Sequence, residues 1–168
     1  AHVRITAGGA ERHLSVQAGL AAIVGEPQLV AVHDGARPLA SQAAISACLD
    51  AAASCGAASC AHRITDTVKR ADPDGVITGS VPRDNLWAME TPQSFHLPTL
   101  RRAYEEVLRS GSIVTDETSA MEAIGQPVTL VENQRPNPKV TYADDLALVE
   151  TLLASRSAPA DSSQGRDR

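Results

Sequence analysis

The feature that most limits what this chain can become is a repeated order: a short apolar run, a polar glycine-containing loop, then an alanine-rich helical stretch. Residues 28–32 (Gln-Leu-Val-Ala-Val) read as a buried strand, and residues 33–38 (His-Asp-Gly-Ala-Arg-Pro) as the loop that follows it. A helix spans residues 41–54, with Ser41 as N-cap and Gly56 as stop, and residues 57–63 form a further strand. Upstream, residues 2–6 alternate like a short strand, and Gly8-Gly9 supplies a turn. A helix over residues 12–24 then carries Val16, Leu20, Ile23 and Val24 on one face. Parallel neighbours require crossover connections, so this order predicts a parallel sheet with helices on its faces. Ligands of such sheets gather at the carboxyl ends of strands, here the loops after Thr6 and Val32.

Residues 64–81 change the pattern: two β-branched runs joined by Pro73-Asp-Gly75 predict a hairpin. Both its faces are polar, and an isolated hairpin is marginal in water, so a partner subunit is expected to cover it. Residues 97–109 form a helix with Glu105 and Arg109 spaced for an i,i+4 pair. Thr115-Asp116-Glu117 opens another helix, which runs to residue 124 and is closed by Gly125. Residues 126–131 read as a strand and 142–153 as a last helix. Residues 155–168, rich in Ser, Ala, Pro and charge, read as a disordered tail. The expectation is one domain over residues 1–154, with a β-arm at about 64–82.

Composition narrows the function. At 168 residues the chain suits a single core, and 43% hydrophobic with 21% charged residues is globular. No apolar run approaches a membrane span, and no secretory leader opens the sequence. A net charge of −5 and 2% aromatic residues argue against nucleic-acid coating or base stacking. Cys48, Cys55 and Cys60 are odd in number and lack disulfide or zinc spacing, which points to a reducing cytoplasm, and the five histidines show no metal-ligand spacing.

Asp34 and Arg37 stand together at a strand end. Arg grips phosphate oxygens bidentately, while Asp accepts from hydroxyls or ligates Mg²⁺; the same pair could equally hold its own turn. Gly8-Gly9 could offer backbone N–H groups and Ser15 a hydroxyl, but this is neither a dinucleotide fingerprint nor a P-loop. Thr67, Lys69, Arg83, Thr91, Thr115 and Lys139 read by pattern alone as solvated surface or, for Thr115, as a helix N-cap. His33 could brace its loop or act in catalysis, and Cys48 packs in a core.

Six segments occur in order: Gly8-Gly-Ala-Glu-Arg-His-Leu-Ser15, Val32-His-Asp-Gly-Ala-Arg-Pro38, Asp66-Thr-Val-Lys69, Leu86-Trp-Ala-Met-Glu-Thr-Pro-Gln-Ser-Phe95, Thr115-Asp-Glu-Thr-Ser119 and Asn137-Pro-Lys-Val-Thr141. Together they resemble the 2-C-methyl-D-erythritol 4-phosphate cytidylyltransferases of the non-mevalonate isoprenoid pathway. The resemblance implies a Rossmann-like nucleotidyltransferase α/β fold with a protruding β-arm. It implies transfer of CMP from CTP to methylerythritol phosphate with Mg²⁺ or another divalent cation bound, in a cytoplasmic homodimer joined through that arm, without nucleic acid or membrane. Carried over by position, Gly9, Ala10, Ser15 and Asp34 would bind nucleotide. Asp34, Arg37 and Lys139 would be catalytic, with Asp34 facing the metal. Arg37, Thr67, Arg83, Thr91 and Thr115 would bind the polyol phosphate.

Family members also carry an A-A-G-x-G-x-R loop and a Pro-Lys that these 168 residues lack, so the expectation is an N-terminally incomplete fold with little activity alone. A ribitol-phosphate cytidylyltransferase and a non-catalytic dimerisation or regulatory module are the alternatives.

Overall fold

A computed structural model of the chain describes residues 3–157. Among these, four strands form one sheet in the order β1-β5-β2-β6, and two more form a separate hairpin. The sheet strands are β1 (Leu29–Val32), β2 (Ala57–Arg63), β5 (Trp87–His96) and β6 (Thr129–Glu132), and the hairpin is β3 (Val68–Ala71) with β4 (Ile77–Val81). Five helices accompany them: α1 (Arg12–Ala21), α2 (Gln42–Cys55), α3 (Leu97–Ser110), α4 (Glu117–Ala123) and α5 (Asp145–Ser157).

The parallel expectation needs one correction. Strands β1, β2 and β6 do point the same way, but β5 lies antiparallel between β1 and β2. The ten-residue β5 is the longest strand, and the sequence pattern predicts no element there. Pro92 in its middle and a run poor in β-branched residues hide it from propensity. Its burial comes from tertiary position: residues 90–95 are all sealed.

The sheet separates two cores, as the period-2 alternation of a strand requires. On β2, Ala57 joins Phe95, Leu97, Leu100, Tyr104, Val107 and Met121 on one side, whereas Ala58 and Cys60 pack with Ala44, Cys48 and Ala52 of α2 on the other. The three cysteines are free thiols, and Cys48 is fully buried. Helix α2 begins as expected, with Ser41 Oγ accepting from the Ala44 N–H at 3.1 Å. It ends at Gly56, whose φ of 89° suits a residue without a Cβ.

Other boundaries shift. Residues 3–6 form no strand: Val3 and Ile5 are among the most exposed residues, with no strand of the described chain beside them. His2 lies outside the described residues. The α4 cap is Asp116 rather than Thr115, its carboxylate accepting from the Ser119 N–H at 3.0 Å. Arg109 pairs with Glu106, at 2.6 Å, rather than with Glu105. Residues 155–157 continue α5, and the rest of the expected tail lies outside the described residues.

Candidate functional site

Because β1 and β6 run the same way, the loops that follow them meet at one end of the sheet, tied by the Val140 N–H donating to Ala36 O at 2.8 Å. The arm departs from that end too, after β2. Between these loops and β5 lies a hollow of about 280 Å³ lined by Arg12, Asp34, Arg37, Met89, Glu90, Thr91, Gln93, Thr115, Asp116 and Lys139. Arg37, Met89, Glu90 and Lys139 also border a larger hollow of about 680 Å³ that reaches Leu148 and Leu152 of α5.

Asp34 is the centre of charge. Its Oδ1 accepts from Arg12 Nη2 at 3.2 Å and Nε at 3.4 Å, and its Oδ2 lies 3.1 Å from Lys139 Nζ and 3.6 Å from Arg37 Nε. Burial works against ionisation of this carboxylate, but the Lys139 hydrogen bond and the Arg12 charge outweigh it and hold Asp34 below the usual carboxylate range. Arg37 is anchored by donating to Asn137 O at 2.7 Å and Met89 O at 3.3 Å. Its Nε makes no hydrogen bond.

Loop 33–38 is braced from β5. Thr91 Oγ1 accepts from the Asp34 N–H at 3.0 Å and lies 2.9 Å from His33 Nδ1. His33 Nε2 faces Arg37 O at 3.0 Å; a carbonyl can only accept, so Nε2 carries the proton, and in the neutral ring Nδ1 accepts from the Thr91 hydroxyl. His33 therefore holds the loop.

Behind Asp34 a second carboxylate is sealed in. Glu117 has a side chain 0% exposed and accepts from Arg12 Nη1 at 2.7 Å and Nη2 at 3.0 Å, and from Tyr104 Oη at 2.9 Å. The hydrogen bond to Glu117 is the main cause of an Arg12 pKa above the usual range, and burial pushes that of Tyr104 up. Glu90 is also buried, and accepts from His62, Asn133 and Asn137. Asp116 stays below the normal carboxylate range: burial opposes this, but Gln93 and the α4 N-terminus prevail.

Of the expected site residues, Asp34, Arg37, Thr91, Thr115 and Lys139 meet at the hollow. Thr67 and Arg83 do not: both are exposed on or beside the arm, where Arg83 donates to Thr65 O. Gly9, Ala10 and Ser15 also lie outside its lining. The Gly9 N–H donates to Ser15 Oγ at 3.0 Å in an exposed turn. A Cβ at Gly9 would fall 2.3 Å from that of Leu14, so glycine is needed there for close approach.

Sequence reasoning missed Arg12, Glu117, Tyr104 and Asn137. Arg12 had a signal: a cation at the first position of a helix opposes the macrodipole and calls for a tertiary anion.

The residues present do not fit a divalent ion held by Asp34. Each oxygen of Asp34, Asp116, Glu117 and Glu90 already has a donor, and three cations surround Asp34. Among the described residues no group of three or more His, Cys, Asp or Glu side chains could hold a metal.

The family model described as IspD, 2-C-methyl-D-erythritol 4-phosphate cytidylyltransferase, matches residues 1–155. The chain belongs to this family. It is 41% identical over 150 residues to the 2-C-methyl-D-erythritol 4-phosphate cytidylyltransferase of Prochlorococcus marinus, covering 89% of this chain and 67% of that protein. The protein of the same name from Desulforamulus reducens is 37% identical over 153 residues, covering 91% and 65%. The crystal structure of the Thermus thermophilus cytidylyltransferase superposes with a TM-score of 0.81 at 35% identity, covering 88% of this chain and 71% of that one. The chain thus spans about two thirds of the length of the curated relatives it matches. The nucleotidyltransferase α/β fold is confirmed, with the antiparallel β5 as its correction. Among the described residues no helix is long and apolar enough to cross a membrane.

Proposed function

We propose that this chain forms the polyol-phosphate and reaction-centre part of a CTP-dependent cytidylyltransferase acting on 2-C-methyl-D-erythritol 4-phosphate. The observation that supports it above others is the convergence of Arg12, Arg37 and Lys139 on Asp34 in one hollow. Such a cluster suits an anionic substrate and transition state, and no serine or cysteine nucleophile lines it.

In the proposed reaction a phosphate oxygen of the polyol phosphate attacks the α-phosphorus of CTP in line. A new P–O bond forms, the α–β P–O bond breaks, and pyrophosphate leaves with its electron pair. Lys139 and Arg37 offset charge on the transferred phosphoryl group, while Asp34 orients them. Thr91 and Thr115, which line the hollow, would contact the polyol phosphate, and Gly9, Ala10 and Ser15 would border the nucleotide. Thr67 and Arg83 would reach a second copy's hollow in a cytoplasmic homodimer paired through the arm. A divalent cation would arrive on the triphosphate rather than on Asp34, since Mg²⁺ is commonly held largely by substrate phosphates and water.

Calorimetric titration of CTP into the 168-residue chain, with and without Mg²⁺, tests the nucleotide part. These residues lack an A-A-G-x-G-x-R loop, so weak binding and little turnover are expected, and micromolar affinity would show that loop dispensable. Turnover by a version carrying such a loop, offered both polyol phosphates, tests the rest. The names of the matched relatives favour methylerythritol phosphate; preference for ribitol phosphate would replace that substrate, and no turnover with either would favour a non-catalytic module.

A further inference from the structure

Glu117 lies outside the hollow's lining, wholly buried, yet it is two hydrogen-bonded steps from Asp34. The path runs from Tyr104 Oη to Glu117, from Glu117 through the two terminal nitrogens of Arg12, and from Arg12 to Asp34 Oδ1. On the far side Asp34 Oδ2 meets Lys139 Nζ at 3.1 Å. Arg12 has five N–H donors, and its contacts with the two carboxylates engage all three guanidinium nitrogens. It is therefore a strut between carboxylates rather than a free anion grip.

We infer that Glu117 is a positioning residue for the anion-binding hollow, setting Arg12 and through it the Asp34 carboxylate that holds Lys139 in place. The inference deepens the reading of the hollow as a phosphate site and rests on it. Its logic is competition: with Glu117 neutral, Asp34 becomes the sole carboxylate partner of Arg12, is drawn toward that guanidinium, and releases Lys139.

The positioning role and simple charge counting predict opposite signs. Removing a negative charge near an anion site should tighten anion binding if charge alone mattered. Removing a positioning group should weaken it despite the gain in positive charge.

Lys69 and Lys139 are the only lysines of the chain, so lysine selectively labelled with ¹³C at Cε gives two resonances, one from Lys139 at the hollow and one from Lys69 on the arm, whose Nζ donates to Ser80 Oγ at 2.6 Å. Without ligand, the Lys139 signal should be sharper and more mobile in Glu117→Gln than in the wild-type chain, where Asp34 holds its Nζ at 3.1 Å. With inorganic pyrophosphate as probe, the Kd read at Lys139 should rise about tenfold in Glu117→Gln, the loss of roughly one charge-assisted contact. Tyr104→Phe removes one hydrogen bond to Glu117 without changing charge, and keeps the inference testable should Glu117→Gln not fold; it should weaken binding in the same direction by a smaller factor. Unchanged Lys139 mobility in the folded variants, or equal or tighter pyrophosphate binding, would overturn the positioning role. A wild-type Lys139 signal blind to pyrophosphate would instead overturn the phosphate-site reading, since the ligand-free mobility comparison does not depend on it.

Discussion

The hollow and the arm leave the same end of the sheet, but they meet their polar groups in opposite ways. Around the hollow nearly every charged atom is answered within the chain: Asp34 by three cations, Glu117 by Arg12 and Tyr104, and Glu90 by His62, Asn133 and Asn137. The arm has its own ladder and its Asp72 turn, yet almost all of its residues are exposed, and Val76 and Ile77 stand 61% and 64% open. One region is specified by long-range contacts inside the chain, the other by a local hairpin. Substitutions among the paired charged residues of the hollow should therefore change folding, and substitutions at the arm should change assembly.

Arg12→Ala is the harshest test of that contrast, because it strands Glu117 as a buried carboxylate with only Tyr104 to answer it. Breaking a buried pair from one side costs about 3–5 kcal/mol, and the outer face of Arg12 meets solvent, so the loss should fall near about 3 kcal/mol in urea unfolding. A change below about 1 kcal/mol would mean that the hollow is no more tightly specified than ordinary surface.

A smaller loss should come with acid. In the folded chain Asp34 and Asp116 bind their protons less tightly than they would unfolded, so their contribution is present above the ordinary aspartate value of about 4 and fades as the pH falls through their lower folded values. Unfolding midpoints should hold steady from neutral pH down to about pH 5 and then drop below about pH 4. The drop should be shallower in Asp34→Asn. Stability that rises on acidification would contradict both shifts.

Next in size is Asp116→Ala, which removes the α4 cap and the acceptor of Gln93 together, for a loss of about 1–2 kcal/mol by thermal or urea unfolding. Thr115→Ala, one residue earlier, should change stability by less than about 0.5 kcal/mol, since Thr115 is exposed and its one side-chain contact is a long 3.4 Å to Ser119 Oγ. Equal effects at the two positions would break the assignment of the cap.

What the sequence made legible follows the same division. Local signals carried the elements they control: Ser41 and Gly56 bounded α2, and the Pro73-Asp-Gly75 turn located the hairpin. The loop around Asp34 was found because a polar glycine-containing segment after an apolar strand is a local pattern. Strand β5 was not legible, because its burial comes from insertion between two strands far away in sequence rather than from its own composition. Glu117 was hidden for a related reason. A carboxylate in the first turn of a helix looks like a helix-dipole residue on the surface, and only its partner 105 residues away reveals it as buried. Thr67 and Arg83 entered through resemblance alone, and nothing in a single chain brings them to the hollow.

The gentlest change should separate assembly from folding most cleanly. Replacing Val76 and Ile77 together by Thr keeps β-branched residues on an exposed hairpin while removing its apolar edge. The backbone bond from the Val76 N–H to Asp72 Oδ1 does not depend on the side chain, so the turn should survive. Unfolding of the single chain should therefore change by less than about 0.5 kcal/mol. If a second copy covers the arm, sedimentation should show the wild-type chain as a dimer and the variant shifted toward monomer at the same concentration. A wild-type chain that sediments as a monomer at tens of micromolar would break the comparison from the other side, leaving the arm a free hairpin and the hollow a site completed by one chain.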